Sequence, residues 1–467
     1  MSKTNTLALI KSISGIRGEI GGKSGQNLTP IDIVECTAAY GHWIMINQGS
    51  DKVVIGMDAR ISGEMVKHLV VNTLTMMGIR VVDLGISTTP TVEIAVPEEN
   101  AGGGIILTAS HNPRQWNALK FLNHLGEFIS AEDGQNILKY IKDKAFQFAT
   151  VDKLGSYVKN ESYIEKHVKK IIRLPLVKED DVRARKFSVV VDCINSSGAK
   201  AIPVLLKKLA CDFELINEDM TGEFAHNPEP LPQHLTQLMD TVKNSNADLG
   251  IVVDPDVDRL AFVCEDGTLF GEEFTLVAIA DYILHHKKGN TVSNLSSTRA
   301  LADVSRSHGV NYFPAAVGEV NVVKLMKEKD AVIGGEGNGG IIYPELHYGR
   351  DALVGIALFL SYLAEKNISA SALKNTYPKY IIDKQKILLT PELDVDALLA
   401  SVQEAFKEEK VNTIDGVKID FKDGWIHLRK SNTEPIIRLY AEAKDQKTID
   451  KLITKVKSAI APLVQTA

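Results

Sequence analysis

Three aspartates at alternate positions, Asp254, Asp256 and Asp258, directly follow an apolar run and precede Arg259. On an extended backbone that spacing aims all three carboxylates to one side. Carboxylates held this close repel one another unless a hard cation takes their oxygens, and Mg2+ suits a small oxygen-rich site. An EF-hand fits Asp254 to Glu265 in outline, but Arg259 stands where that loop needs glycine, and residues 260–264 read as a strand. A solvated acidic turn is the plainer alternative, and the apolar runs on both sides argue against it. Arg259 suits either of two tasks, orienting the carboxylates or holding a phosphate oxygen.

A second loop, Thr108-Ala109-Ser110-His111-Asn112-Pro113, puts a hydroxyl at the end of another apolar run. The flanking glycines of a nucleophile elbow are absent. Alone, Ser110 reads as a turn cap and His111 as a loop residue bonded to backbone. Beside a metal loop, Ser110 reads as a group that carries or accepts a phosphoryl group. The cation would neutralise the phosphoryl oxygens, and Lys120 would act as acid, base or anion clamp.

Two further loops carry recognition chemistry. Residues 334–340 (GGEGNGG) let a ligand approach the backbone and offer Glu336 and Asn338, groups that hydrogen-bond sugar hydroxyls or an amine. They lack the spacing of a dinucleotide fingerprint, and a flexible turn fits them equally well. Arg429, Lys430, Ser431, Asn432 and Thr433, with Arg438 beyond, suit a dianionic phosphate; a solvated charged turn is the alternative. Arg17, within Gly15-Ile16-Arg17-Gly18, reads as another phosphate contact or a turn cation. Gly22-Lys23-Ser24 is no Walker A end, because Arg17 occupies the first glycine position.

Such loops need stiff strands behind them, and the chain supplies these in a repeated pattern. Residues 52–60 (KVVIGMDAR) read as a buried strand with a polar end, followed by a helix over 63–77 and a strand over 79–84. The order recurs at 187–192, 199–210 and 213–216, and again at 291–295, 299–307 and 310–313. After each unit comes one more apolar strand running into a polar loop: 103–109, 249–253 and 331–333. Active sites of open α/β sheets gather outside the carboxyl ends of strands, so three such domains can surround one cleft. From about Tyr380 the pattern becomes strand, helix (395–409), two strands around 422–424, and a final helix (448–460). The expected fold is therefore α/β with four domains around a central active-site cleft. Three are similar α/β/α layered domains with mixed sheets, at 1–156, 157–259 and 260–372. The fourth is an α+β domain at 373–467.

The 467 residues are 44% hydrophobic and 24% charged, enough for several proper cores and too much for disorder. With 53 Lys and Arg against 59 Asp and Glu, the net charge of -6 gives no global pull on nucleic acid or an anionic membrane. Cys36, Cys193, Cys211 and Cys264 lie far apart, which argues against zinc sites and a disulfide framework and fits a reducing cytosol. The N-terminus shows no secretory pattern, and the apolar run at 352–364 is too short for a bilayer span. The expected location is cytoplasmic.

These motifs, in this order and over essentially the whole chain, resemble the α-D-phosphohexomutase family: GIRG at 15–18, TASHNP at 108–113, DPDVDR at 254–259, GGEGNGG at 334–340 and RKSNTEP at 429–435. The resemblance implies a phosphoserine at Ser110, and one Mg2+ held by Asp254, Asp256, Asp258 and a Ser110 phosphate oxygen. It implies His111, Arg259 and Lys120 in the catalytic set, with Lys120 a candidate general acid/base. Arg17, Glu336, Asn338, Arg429, Ser431, Asn432 and Thr433 would bind substrate. Two departures stand out: Gly340 where many members carry His, which removes a base from that loop, and Ala118 where glycine is usual. The GGEGNGG form resembles the archaeal-type branch, in which phosphoglucosamine mutase and phosphomannomutase/phosphoglucomutase members are hard to separate.

The implied reaction interconverts hexose 6-phosphate and hexose 1-phosphate through a hexose 1,6-bisphosphate, which also serves as activator. Glucosamine 6-phosphate is the expected substrate, with the glucose and mannose phosphates as alternative. Partners would be small sugar phosphates only, with no nucleic acid and no membrane, and the assembly a monomer or homodimer. A Mg2+ phosphatase and a sugar-phosphate sensor without turnover are the competing readings.

Overall fold

A computed structural model describes residues 9–12, 15–388, 394–430 and 436–464. The first sheet comprises β1 (Leu9–Ser12), β2 (Gly15–Glu19), β3 (Lys52–Met57), β4 (Arg80–Ile86), β5 (Gly103–Leu107), β6 (Trp116–Leu122) and β7 (Tyr157–Lys159). Their order is β1-β2-β6-β5-β3-β4-β7. The second sheet holds β8 (Ser188–Asp192), β9 (Asp212–Ile216), β10 (Leu249–Val253) and β11 (Leu260–Cys264), ordered β11-β10-β8-β9. The third holds β12 (Asn290–Asn294), β13 (Tyr312–Ala315), β14 (Ala331–Glu336) and β15 (Gly340–Ile342), ordered β13-β12-β14-β15. β16 (Ile381–Leu388), β17 (Lys410–Asn412), β18 (Val417–Asp420), β19 (Gly424–Lys430) and β20 (Ile436–Ala443) form an antiparallel fourth sheet.

The first three sheets share one core arrangement: β6-β5-β3-β4, β11-β10-β8-β9 and β15-β14-β12-β13. In each, parallel central strands end in an antiparallel return strand, and the polar loop is the connection into it. The four-domain α/β architecture expected from the repeat is present. Both faces of the parallel strands are covered, as parallel sheets require. Val53 and Ile55 enter one core with the helices Pro30–Asn47 and Gly63–Met76, while Val54 enters another with Thr89–Glu98. The apolar run noted in the sequence is the helix Ala352–Lys366, buried at every residue from Ala352 to Leu363. A helix apolar all round belongs in a core, and this one sits in the core that the second and third domains share. Among the described residues, no helix is long and apolar enough to cross a membrane.

Three boundaries differ from the division expected above. Residues 260–264 form β11 and pair with β10, so the cut after residue 259 falls inside the second sheet. β7 lies beyond residue 156 yet pairs with β4 of the first sheet. The cut after residue 372 falls within the helix Ala370–Lys374. Each shift has the same cause: an element that follows the polar loop or the last helix returns to the preceding sheet or core, and pairing partners are invisible in local pattern.

Candidate active site

Ser110 is buried and has φ 49°, the left-handed region where a side chain is strained. The neighbouring strand end over-determines that conformation. Arg60 fans out to the Ser110 carbonyl, to the Asn112 carbonyl at 2.7 Å, to that of Pro113 at 2.8 Å and to that of Trp116 at 2.9 Å. Asp58 anchors the Arg60 Nε at 3.1 Å and accepts from the Thr108 hydroxyl at 2.6 Å; Thr108 Oγ1 in turn accepts from the Ser110 N–H at 2.9 Å. The loop is thus rigid, and it presents the Ser110 hydroxyl to Asp254 Oδ2 of the second domain at 2.6 Å.

The metal loop is a turn and not the extended segment that alternation predicts. The Val257 N–H closes it on the Asp254 carbonyl at 3.0 Å, and Val257 takes φ 60°. Proline at 255 and a left-handed, β-branched residue at 257 are incompatible with continued strand. The three carboxylates still converge, all fully buried, with one oxygen from each within 4.8 Å of the others. Asp256 Oδ2 accepts from Lys120 Nζ at 2.8 Å and from the Thr89 hydroxyl at 2.6 Å. Asp258 Oδ2 accepts from Arg350 at 2.6 Å. Asp256 Oδ1 and Asp258 Oδ1 are buried without a hydrogen-bond partner. Such orphaned anionic oxygens are costly unless a cation meets them, so the donor set fits a hard divalent ion. Burial and the adjacent Asp258 and Asp256 push the Asp254 carboxyl well above its usual range.

Cations surround His111, the residue after the serine. Lys120 reaches the site because β6 pairs beside β5, with Lys120 opposite Ile106. The Arg259 backbone N–H donates to Asp254 Oδ1 at 3.1 Å, while its guanidinium comes no closer than 3.9 Å to the Asp254 and Asp258 carboxylates and its Nε has no hydrogen bond. Arg17 donates weakly to Asn112 Oδ1 at 3.4 Å. Burial, then Arg259, Arg17, Arg350 and Lys120, force the His111 imidazole well below its usual pKa, so it is neutral. A neutral His among four cations marks a locally positive pocket that suits an oxyanion, even though Lys120 and Arg350 are also paired with Asp256 and Asp258.

Glu336 ends β14, and residues 337–339 turn the chain into β15. Its carboxylate accepts four donors: Asn294 at 2.8 Å, the Gly318 N–H at 3.1 Å, Arg350 at 2.8 Å and Asn338 at 3.4 Å. Arg429 is tied to Asp415 at 3.1 Å, and Asp415 accepts from the Val317 N–H at 3.0 Å, beside Gly318. Among the described residues Arg429 makes no hydrogen bond or ion pair with the serine or metal loops. Ser431, Asn432 and Thr433 lie outside the described residues.

Asp58, Arg60, Thr89 and Arg350 did not stand out in the sequence. The polar end of residues 52–60 was a visible signal for the first pair. Thr89 and Arg350 gave none, since each sits at a helix start in another domain.

Residues 9–148, 161–267 and 272–380 match the phosphoglucomutase/phosphomannomutase alpha/beta/alpha domains I, II and III, and residues 390–459 match the C-terminal domain. The chain belongs to that family and is a phosphomutase, an isomerase that relocates a phosphoryl group. A Thermococcus kodakarensis protein named phosphoglucomutase/phosphomannomutase is 33% identical, covering 91% of this chain and 94% of its own. A Methanopyrus kandleri protein named probable phosphoglucosamine mutase is 32% identical, covering 94% of this chain and 95% of its own. The crystal structure of a phosphoglucomutase/phosphomannomutase family protein from Burkholderia thailandensis shares 26% identity and a TM-score of 0.84, over 97% of this chain and 98% of that one.

Proposed function

We propose that this enzyme interconverts hexose 6-phosphate and hexose 1-phosphate, with Ser110 carrying the transferable phosphoryl group. The observation that carries this reading is the Ser110 hydroxyl, 2.6 Å from Asp254 and next in the chain to His111, whose pKa is depressed by burial, then by Arg259, Arg17, Arg350 and Lys120. The phosphorylated Ser110 gives its phosphoryl group to O1 of a hexose 6-phosphate: the O1–P bond forms, the Ser110 Oγ–P bond breaks, and the O1 proton passes, with Lys120 the candidate acid/base, to the freed Ser110 oxygen. The resulting 1,6-bisphosphate turns over in the cleft, and the phosphoryl group on O6 returns to Ser110. Bound at Asp254, Asp256 and Asp258, Mg2+ would neutralise charge on the transferring group. Lys120, Arg259 and Arg17 stabilise the same charge from the protein side, and His111 lines that pocket as a neutral group. Glu336 and Asn338 take sugar hydroxyls. Arg429, with Ser431, Asn432 and Thr433, takes the distal phosphate in both orientations of the sugar.

Glucosamine 6-phosphate is the favoured substrate, which the name of the M. kandleri relative supports. The glucose and mannose phosphates form the second reading, favoured by the name of the T. kodakarensis relative. The test compares kcat/KM for glucosamine 6-phosphate, glucose 1-phosphate and mannose 1-phosphate, with Mg2+ and a trace of hexose 1,6-bisphosphate. A tenfold preference for the amino sugar, about 1.4 kcal/mol of transition-state discrimination, supports the first reading. The reverse preference selects the second, and release of inorganic phosphate without isomerisation rejects both.

A further inference from the structure

Arg350 is buried, and its guanidinium serves carboxylates from two domains. It donates to Asp258 Oδ2 at 2.6 Å and to Glu336 Oε2 at 2.8 Å, and its Nε lies 3.1 Å from Glu319 Oε2. Its own backbone N–H donates to Glu319 Oε1 at 2.9 Å, so the fork is fixed at its base as well. The two loops that it joins are already stitched by a backbone bond, Leu260 N–H to the Gly339 carbonyl at 3.1 Å, and Arg350's own segment is tied to the metal loop by Ala352 N–H to the Val257 carbonyl at 3.2 Å. Arg350 adds what these bonds cannot, the orientation of the two side chains. It engages one oxygen of Asp258 and leaves the other, Oδ1, without a hydrogen-bond partner.

Position 340 explains how the fork fits. A Cβ built on Gly340 would fall on Arg350 Cδ and 3.0 Å from its Cγ. That part of the side chain cannot yield, because the guanidinium beyond it is held by three carboxylates. Gly340 is therefore the space through which Arg350 reaches Asp258.

We propose that Arg350 is a positioning residue that sets the metal-loop carboxylate Asp258 and the sugar-loop carboxylate Glu336 in one register, and that Gly340 is the vacancy this requires. The inference rests on the mutase reading, in which Asp258 faces Mg2+ and Glu336 faces the sugar. It makes binding at the two loops depend on a single planar fork, which lysine, a point charge, does not reproduce.

The test is calorimetric titration of Mg2+, and separately of glucosamine 6-phosphate and glucose 1-phosphate, into wild-type, R350K, G340A and R350K/G340A proteins. R350K keeps the charge and loses the fork. It is expected to weaken Mg2+ binding about ten- to hundredfold, the usual range for groups that orient metal ligands. Sugar-phosphate binding is expected to weaken roughly tenfold, the scale of one charge-assisted hydrogen bond. G340A leaves Arg350 chemically intact and is expected to weaken both, and the double variant to lose less than the product of the single losses. Binding of both ligands by R350K within about twofold of wild type would overturn the proposal, as would fully multiplicative losses. If R350K does not fold, G340A alone decides, since unchanged binding there removes the proposed vacancy. A wild type that binds neither Mg2+ nor sugar phosphate would instead reject the mutase reading, and this inference with it.

Discussion

The Ser110 hydroxyl donates to Asp254 Oδ2 at 2.6 Å, across 144 residues of chain and from one α/β domain to the next. This bond joins the group proposed to carry phosphate to the loop proposed to hold the metal. Ser110→Ala is expected to lower mutase kcat by about 10³-fold or more, as loss of a nucleophile does. Unfolding free energy should change by less than about 2 kcal/mol, because one hydrogen bond is removed and no cavity of consequence is made. Mass spectrometry of the wild-type peptide containing Ser110 should find phosphate there. Retained activity in the variant would take Ser110 out of the reaction.

Arg60 holds the serine loop through four carbonyls and Asp58. Arg60→Ala leaves the Asp58 carboxyl fully buried and deprived of its cation, a change that costs about 3–5 kcal/mol. Arg60→Lys keeps the charge but cannot serve that fan, and should lose kcat with little change in KM. Urea unfolding of the first variant and steady-state kinetics of the second check the two statements. Equal stability of Arg60→Ala and wild type would mean that the loop does not depend on this pair.

The orphaned oxygens Asp256 Oδ1 and Asp258 Oδ1 predict a response to metal. Mg2+ at a hundredfold excess over its Kd should stabilise the protein by about 2.7 kcal/mol, seen as a rise in Tm that a chelator reverses. Asp258→Asn should abolish most of that rise and most of the activity. A Tm insensitive to Mg2+ in the wild type would count against a cation at this loop.

What the sequence revealed follows from how far each contact reaches along the chain. Ser110, the three aspartates and Glu336 were legible because each stands at the polar end of an apolar strand, a purely local signal. The shape of the metal loop was misjudged, since alternation suggested a strand where Pro255 and Val257 make a turn. Thr89 reaches Asp256 over 167 residues, Arg350 reaches Asp258 over 92, and nothing in spacing records such meetings. The boundary at residue 259 failed for the same reason, because β11 is defined by its partner β10 and not by its own five residues. The repeat itself was legible, and its meaning emerged from the shared strand order of the three sheets.

The junction between the third and fourth domains predicts an acid-sensitive contact. His427 Nε2 faces the Asp415 carbonyl at 2.6 Å and must donate to it, so Nδ1 accepts from the Ser296 hydroxyl at 3.0 Å. Both bonds are satisfied by the neutral imidazole. Burial, with a contribution from Lys418, lowers the His427 pKa to about 4. The folded value lies below that of an unfolded histidine, near 6.5. The stabilisation is therefore fully present above pH ~6.5 and is lost as pH falls through about 4. The total at stake is on the order of 3 kcal/mol, at about 1.4 kcal/mol for each pH unit of difference. His427→Gln removes the titration, so the stability of the variant should fall less steeply than that of wild type between pH 7 and 4. Urea unfolding across that range measures both slopes. Parallel slopes would mean that His427 takes its proton as readily in the fold as out of it.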